Sequence, residues 1–263
     1  MRVLIVRTAG GLCNRVWGLL GGAEYAAATG RAFAFVWHPT HLCDARFDTL
    51  WTSPYRQMGS PVASALARLV GTTRYADVVV DDPKRVLMVS AADQLAPDDR
   101  RIRPLRDRLA TLDLVPSLAE RIECTYDEQL AGRPRTVGVM IRARADAHAS
   151  VRASSPVAWF FRRMAEIRAE YPDVTFFLST DSPEVGEQIH RRFADVAELR
   201  NKSAFNSAAG VQDGVCDLYL LARTDFIVGS AGSSFPITAA WLAGHGAFET
   251  PIEPSAVDLH ERL

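Results

Sequence analysis

The chain alternates between short runs of apolar residues and longer stretches in which apolar side chains recur every three or four positions. Val3 to Val6 is continuously apolar, the pattern of a strand covered on both faces, and Thr8 to Gly11 supplies a turn. Asn14 to Thr29 carries the helical period and stops at Gly30, after which Ala32 to Trp37 reads as a second strand closed by His38-Pro39. Strand, glycine turn, helix and strand at this spacing predict a βαβ unit, whose right-handed crossover brings the first turn to the carboxyl edge of a parallel sheet. Ligands of such sheets bind at that edge. From His38 to Arg85 the pattern is broken by Pro, Ser and Thr, and Arg85 to Val89 then predicts another strand.

The second half repeats the rhythm. Pro116 to Leu130 is helical in pattern, and Ala131-Gly132-Arg133-Pro134-Arg135 joins a helix stop to a proline break, so a domain boundary is expected between Gly132 and Arg133. Thr136 to Arg142 predicts a strand, Pro156 to Tyr171 a helix opened by Ser155, and Val174 to Ser179 a strand, which together make a second βαβ unit. Helices over Pro183 to Arg192, Val211 to Arg223 and Pro236 to Leu242 and strands over Asp225 to Gly229 and Ala247 to Glu249 complete the pattern. The expected fold class is α/β, with two Rossmann-like α/β/α domains, 1–132 and 133–263, and a ligand cleft between them.

Composition narrows the chemistry. A chain of 263 residues that is 48% hydrophobic buries roughly 70 to 75% of its unfolded surface and needs neither disulfides nor zinc to be stable. A formal net charge of −1 argues against general attraction to nucleic acid or to an anionic membrane, so neither is expected as a partner. Lys84 and Lys202 are the only lysines; the positive charge is otherwise arginine, the better bidentate partner for phosphate. Cys13, Cys43, Cys124 and Cys216 contain no C-x-x-C pair and are read as reduced, mostly buried thiols, and the six histidines contain no H-E-x-x-H pair, so no metal site is expected. No apolar stretch approaches the roughly 20 residues of a spanning helix, and the strand-like start, Arg2 to Arg7, leaves no room for a secretory leader, so a cytoplasmic protein is expected.

Four segments have the residue types for ligand chemistry. Gly10-Gly11-Leu12-Cys13-Asn14-Arg15 joins the first strand to the first helix; either its glycines and helix start hold a phosphate, with Asn14 and Arg15 assisting, or the glycines only make a tight turn and the polar pair caps the helix. It is neither G-x-G-x-x-G nor a P-loop. Val137 to Arg142 is an apolar strand ending in an arginine, which either neutralises a diphosphate leaving group or pairs with Asp146 at the surface. Ser179-Thr180-Asp181-Ser182-Pro183 is a strand-to-helix turn in which Ser182 caps and Pro183 opens the helix. The turn Gly229 to Phe235 is rich in hydroxyl and backbone donors suited to phosphate oxygens, and Asp217, upstream of it, either accepts from a base or ribose or faces water.

Taken in order, GGLCNRVWGLLGGAEYAAATGRAFAFVW, VGVMIR, FFLSTDSPEV and DLYLLARTDFIVGSAGSSF resemble the fucosyltransferase superfamily of nodulation-type and core α1,6-fucosyltransferases and protein O-fucosyltransferases. The resemblance implies a GT-B-like fold and an inverting, metal-independent enzyme, with GDP-fucose bound mainly by the C-terminal half. It makes the nucleotide sugar a donor substrate, implies no cofactor, and points to a small-molecule or peptide-like acceptor. By this resemblance Arg142 is the catalytic arginine that holds the diphosphate, Asp217 binds guanine, Ser233 and Ser234, next to Phe235, hold phosphate, and Gly10 and Gly11 close over the diphosphate. Asn14 falls near the sugar and acceptor, and Thr180 and Asp181 lie in the matching turn. The chain departs from the pattern at Met140, where the family has histidine, and at Ala143, where it has a second arginine that Arg144 replaces after a small shift. No glutamate stands where some members place a base, which leaves Asp146 and His148. These departures keep two other readings open: a different nucleotide-activated donor, and a non-catalytic nucleotide-binding or scaffold protein.

Overall fold

The computed structural model describes residues 1–144 and 149–263, which divide into two compact units, residues 1–115 with 206–212 and residues 116–205 with 213–263. In the first unit β1 (Val3–Thr8), α1 (Leu12–Thr29) and β2 (Ala32–Val36) form the expected βαβ unit, and Gly30 ends α1 in the left-handed conformation at φ 61°. There follow β3 (Trp51–Thr52), β4 (Arg56–Gln57), α2 (Ser60–Val70), β5 (Thr73–Arg74), β6 (Val86–Ala91) and β7 (Asp113–Leu114). The sheet order is β4-β2-β1-β6-β5, with every pairing parallel, while β3 and β7 form a small antiparallel pair.

The second unit contains α3 (Pro116–Gln129), β8 (Arg135–Ile141), α4 (Ala149–Ser154), α5 (Val157–Glu170), β9 (Val174–Thr180), α6 (Pro183–Arg192), β10 (Val196–Glu198), α7 (Ala208–Leu221), β11 (Phe226–Gly229), α8 (Ser234–Ala243) and β12 (Phe248–Glu249), with α7 beginning in residues grouped with the first unit. Its sheet order is β10-β9-β8-β11-β12, again all parallel. In both sheets the chain starts at the centre, builds one flank and then crosses to the other. The reversal lies between β1 and β6 in the first and between β8 and β11 in the second, and a doubly wound sheet offers its ligand crevice at the carboxyl ends of those strands.

Both faces of each sheet are covered, which is why the strands are apolar throughout rather than alternating. In the second unit Val137, Val139 and Ile141 of β8 and Val174, Phe176 and Leu178 of β9 pack with Phe160, Met164 and Ile167 of α5. The opposite face of β8 meets α7 so closely that a Cβ on Gly138 would lie 2.8 Å from Leu221. The division between the units falls at Val115/Pro116, not at the Gly132–Arg133 linker. α3 sides with the second unit because Glu123 pairs with Arg223, Arg121 with Asp213, and Gln129 with the backbone of Glu198. Among the described residues no helix is long and apolar enough to cross a membrane.

At Gly18 α1 lies against the end of β6, where an added Cβ would stand 2.5 Å from the carbonyl oxygen of Ala91. Backbone cannot yield as a flexible side chain does, so Gly18→Ala is expected to cost about 1–3 kcal/mol. An unchanged urea midpoint would show that this approach is not tight.

Candidate functional site

β8 ends at Ile141, and the residues after it need hydrogen-bond partners where the neighbouring strands part. Two side chains supply them. Ser230, which follows β11, accepts from the Arg142 N–H at 3.0 Å, while its own N–H donates to the Met140 carbonyl at 3.1 Å. Asp181, which follows β9, accepts on Oδ1 from the N–H groups of Ala143 at 2.7 Å and Arg144 at 3.1 Å. The carboxyl ends of three adjacent strands are thus tied together by their own turns. Ser155, buried before α5, accepts from the Ala231 N–H at 2.7 Å and fixes the turn after β11.

This frame presents Arg142 at the point where the strand order reverses. Its Nε lies 3.7 Å from Asp181 Oδ2, an ion-pair distance too long for a hydrogen bond, and its side chain remains 30% exposed. Its guanidinium and that of Arg144 face the ring of Phe205, at 6.0 and 4.6 Å from the centroid. Phe205, which the sequence did not single out, is 43% exposed. An arginine pair at such an edge is suited to a diphosphate oxygen pair.

Several of the expected ligand residues make hydrogen bonds within the fold. Thr180 donates to the Ile141 carbonyl at 3.0 Å. Ser233 is buried and caps α8, accepting from Phe235 N–H, while the Ser234 carbonyl accepts from Thr238. Gly232 before them is exposed with φ 69°, a conformation that favours glycine. Phe235 is half-buried in the first turn of α8.

Asp217 neither faces water nor stands bare. It is buried on α7, and its Oδ2 accepts from Ser179 Oγ at 2.7 Å and Lys202 Nζ at 2.8 Å. Its Oδ1 is buried without a hydrogen-bond partner. Burial pushes the carboxyl above its ordinary value of 3.8, and Lys202 and Ser179 oppose that rise. One turn earlier Asp213 holds Arg121 at 2.5 Å and the Ser203 N–H at 2.6 Å. Met140 pairs in register with Ser179, so both side chains lie on the α7 face of the sheet; Met140 is buried there and gives the layer no hydrogen-bond donor.

In the first unit the Gly10–Arg15 turn stands at the matching reversal point. Gly10 has φ 84°, and Gly11, the residue before α1, gives the helix no side-chain cap. Asn14 is half-buried and donates to the Ala92 carbonyl at 3.4 Å. Arg15 corrects the expectation of a ligand-binding side chain: it is 1% exposed and donates to Gly10 O at 2.8 Å, His38 O at 2.5 Å and Thr40 Oγ1 at 2.6 Å, with Trp37 beneath it at 5.4 Å. It holds the glycine turn to the loop after β2. Asp146 and His148 lie outside the described residues. Among the described residues no group of three or more His, Cys, Asp or Glu is placed to hold a metal ion.

Comparison with known proteins places this architecture. No family model and no curated protein sequence matches the chain. Solved structures do. The NodZ α1,6-fucosyltransferase soaked with GDP-fucose is similar at a TM-score of 0.69 and 20% identity, over 92% of this chain and 93% of that one; NodZ has also been solved from Bradyrhizobium. An Arabidopsis thaliana FUT1 mutant in complex with GDP gives 0.66 and 13%, over 97% and 71%. POFUT1 in complex with GDP gives 0.58 and 13%, over 93% and 95%. The chain has the GT-B-like fold of these fucosyltransferases.

Lys202 is the group whose removal is most telling for the α7 layer. Lys202→Met leaves a buried carboxylate without its cation and is expected to cost about 2–4 kcal/mol at pH 7. An acid whose folded-state pKa lies above its unfolded value loses stability as pH rises through that window; below the unfolded value it carries no penalty. The deficit of Lys202→Met should therefore shrink as the pH falls toward 4 and Asp217 takes up a proton. Equal deficits at pH 7 and pH 4.5 in urea titrations would contradict this account.

Proposed function

We propose that the protein is an inverting, metal-independent glycosyltransferase that moves a sugar, fucose from GDP-fucose in the first instance, to a hydroxyl of a small-molecule or peptide-like acceptor. The reading is carried by Arg142, a part-exposed guanidinium at the carboxyl end of β8, held where the strand order of the second sheet reverses. Supporting it is the likeness to folds solved with GDP and GDP-fucose bound.

In the reaction the acceptor oxygen attacks the anomeric carbon as the bond to the diphosphate oxygen breaks. The bonding pair leaves on the diphosphate, and the acceptor proton passes to a base, for which Asp146 and His148 are the candidates. Negative charge grows on the leaving group as the bond stretches, so a fixed cation stabilises the transition state more than the ground state. Arg142 is that cation. Its backbone is fixed by Ser230, so little reorganisation is needed when the charge appears. Ser234, which opens α8 in the same unit, is proposed as a further phosphate contact; taken by itself, the first unit offers Gly10, Gly11 and Asn14 at the end of β1 as proposed ligand contacts.

A second reading keeps the fold and changes the donor. It is favoured by Met140, which offers no hydrogen bond to a base, and by Asp217, one of whose oxygens is already taken by Ser179 and Lys202. Calorimetric titration with GDP, UDP, ADP and CDP separates the two, and GDP release from GDP-fucose with a panel of sugars and peptides tests turnover. Arg142→Ala is expected to lower turnover by about two to three orders of magnitude. Near-normal turnover in that variant would remove Arg142 from the mechanism, and nucleotide binding with no turnover of any donor would favour a non-catalytic protein.

A further inference from the structure

Ala143 stands next to Arg142, and the adjacent cation comes one residue later, from Arg144. The two guanidiniums do not diverge. Asp181 Oδ1 binds the N–H groups of Ala143 and Arg144 together, which fixes the path of the backbone between the two side chains. Both guanidiniums then face one aromatic ring, Phe205, at 6.0 and 4.6 Å from its centroid. The chain leading to the ring is held. Immediately before it, Lys202 pairs with Asp217 at 2.8 Å and the Ser203 N–H donates to Asp213 at 2.6 Å, so the run leading to Phe205 is pinned to α7 at two successive residues.

An aromatic face orients a guanidinium without cancelling its charge, and at Arg142 it acts beside Asp181 Oδ2, 3.7 Å from Nε. We propose that Phe205 is a positioning residue: it holds Arg142 and Arg144 as a two-cation clamp for the diphosphate of a nucleoside diphosphate, with Arg144 supplying the second cation. The inference rests on the glycosyltransferase reading for the identity of the anion, and on the geometry of the second unit alone for the clamp. Phe205 faces the two arginines, and its effect is exerted through them.

The test is calorimetric titration of the intact protein with inorganic pyrophosphate, GDP and guanosine, on wild type and on Phe205→Ala, Phe205→Leu, Phe205→Tyr, Arg144→Ala and the Phe205→Ala/Arg144→Ala double variant. Phe205→Leu keeps apolar volume without the ring, and unfolding midpoints establish that each variant is folded. Phe205→Ala and Phe205→Leu are expected to weaken pyrophosphate and GDP by about tenfold, the scale of a pair of cation–π contacts, and to leave guanosine unchanged. Phe205→Tyr should restore binding. The double variant should lose no more than Arg144→Ala with the added loss from Arg142 alone, so the two single effects fall short of adding.

Full affinity for both ligands in Phe205→Leu, or additive losses in the double variant, would overturn the clamp while leaving a GDP-selective wild type as support for the donor reading. Binding of pyrophosphate and of all nucleoside diphosphates alike, lost in Phe205→Leu, would support the clamp and defeat the assignment of GDP. A wild type that binds none of these ligands would overturn both.

Discussion

The arrangement of the second unit depends on how the backbone is satisfied just beyond β8. Inside a parallel sheet each strand's polar groups are met by its neighbours, but β9 and β11 turn away into helices at the point where β8 ends, and N–H groups left unpaired there would each cost about 1–3 kcal/mol. Ser230 takes the Arg142 N–H and Asp181 takes the next two. Because the partners come from the strands on either side, satisfying the backbone also fixes where Arg142 and Arg144 leave the sheet. A stability requirement and a positioning requirement are met by the same three hydrogen bonds. Asp181 therefore acts first on the backbone of the arginine turn.

Much of this fold was legible in the pattern of apolar residues, and the reason is burial. Strands covered on both faces must be apolar throughout, so β1, β2, β8, β9 and β11 stand out as runs. α6 is found over the predicted residues, Pro183–Arg192, because its limits are local chemistry: Ser182 accepts from Val185 N–H and Pro183 occupies the first turn. What escaped notice was set by distant partners. β4, β5, β3 and β7 are two residues each, too short to show a period, and exist because a neighbouring strand is there to pair with. The boundary between the units, unlike the limits of α3, is not where the linker pattern puts it, for a related reason. A glycine and a proline mark a break in the chain, but the side chains of Glu123, Arg121 and Gln129 decide which unit the helix belongs to.

The site divides in the same way. The spacing shows that an arginine ends β8 and that small polar residues follow β9 and β11, since strand ends are read from the pattern. It cannot show which way a side chain turns. Arg15 has the same neighbours in sequence whether it reaches out to a ligand or inward, and it turns inward because the carbonyls of Gly10 and His38 and the hydroxyl of Thr40 offer it three acceptors. Neither Lys202 nor Phe205 is marked as a site residue by its immediate neighbours in sequence. Their positions follow from Asp217 and Asp213, two acids one turn apart on α7 that bind Lys202 and the Ser203 backbone. A buried i, i+4 acid pair on a helix predicted to cover a sheet is the signal that would have found them, because each buried carboxylate demands a partner.

Those two acids also explain how a polar layer survives inside an otherwise apolar unit. Removing a carboxylate from water is expensive, and the cost is recovered only where a cation and further donors meet it with good geometry. Asp213 has Arg121 and a backbone N–H, and Asp217 has Lys202 and Ser179. The recovery at Asp217 is incomplete, since Oδ1 has no hydrogen-bond partner and burial still raises the carboxyl above its ordinary value. Residue 140, in register with Ser179 on the same face, is Met140, which brings no hydrogen-bond donor to this layer. Met140 and the unpartnered Asp217 oxygen thus lie on the same side of the sheet. Both belong to the α7 layer, whereas Arg142 leaves the sheet at the end of β8.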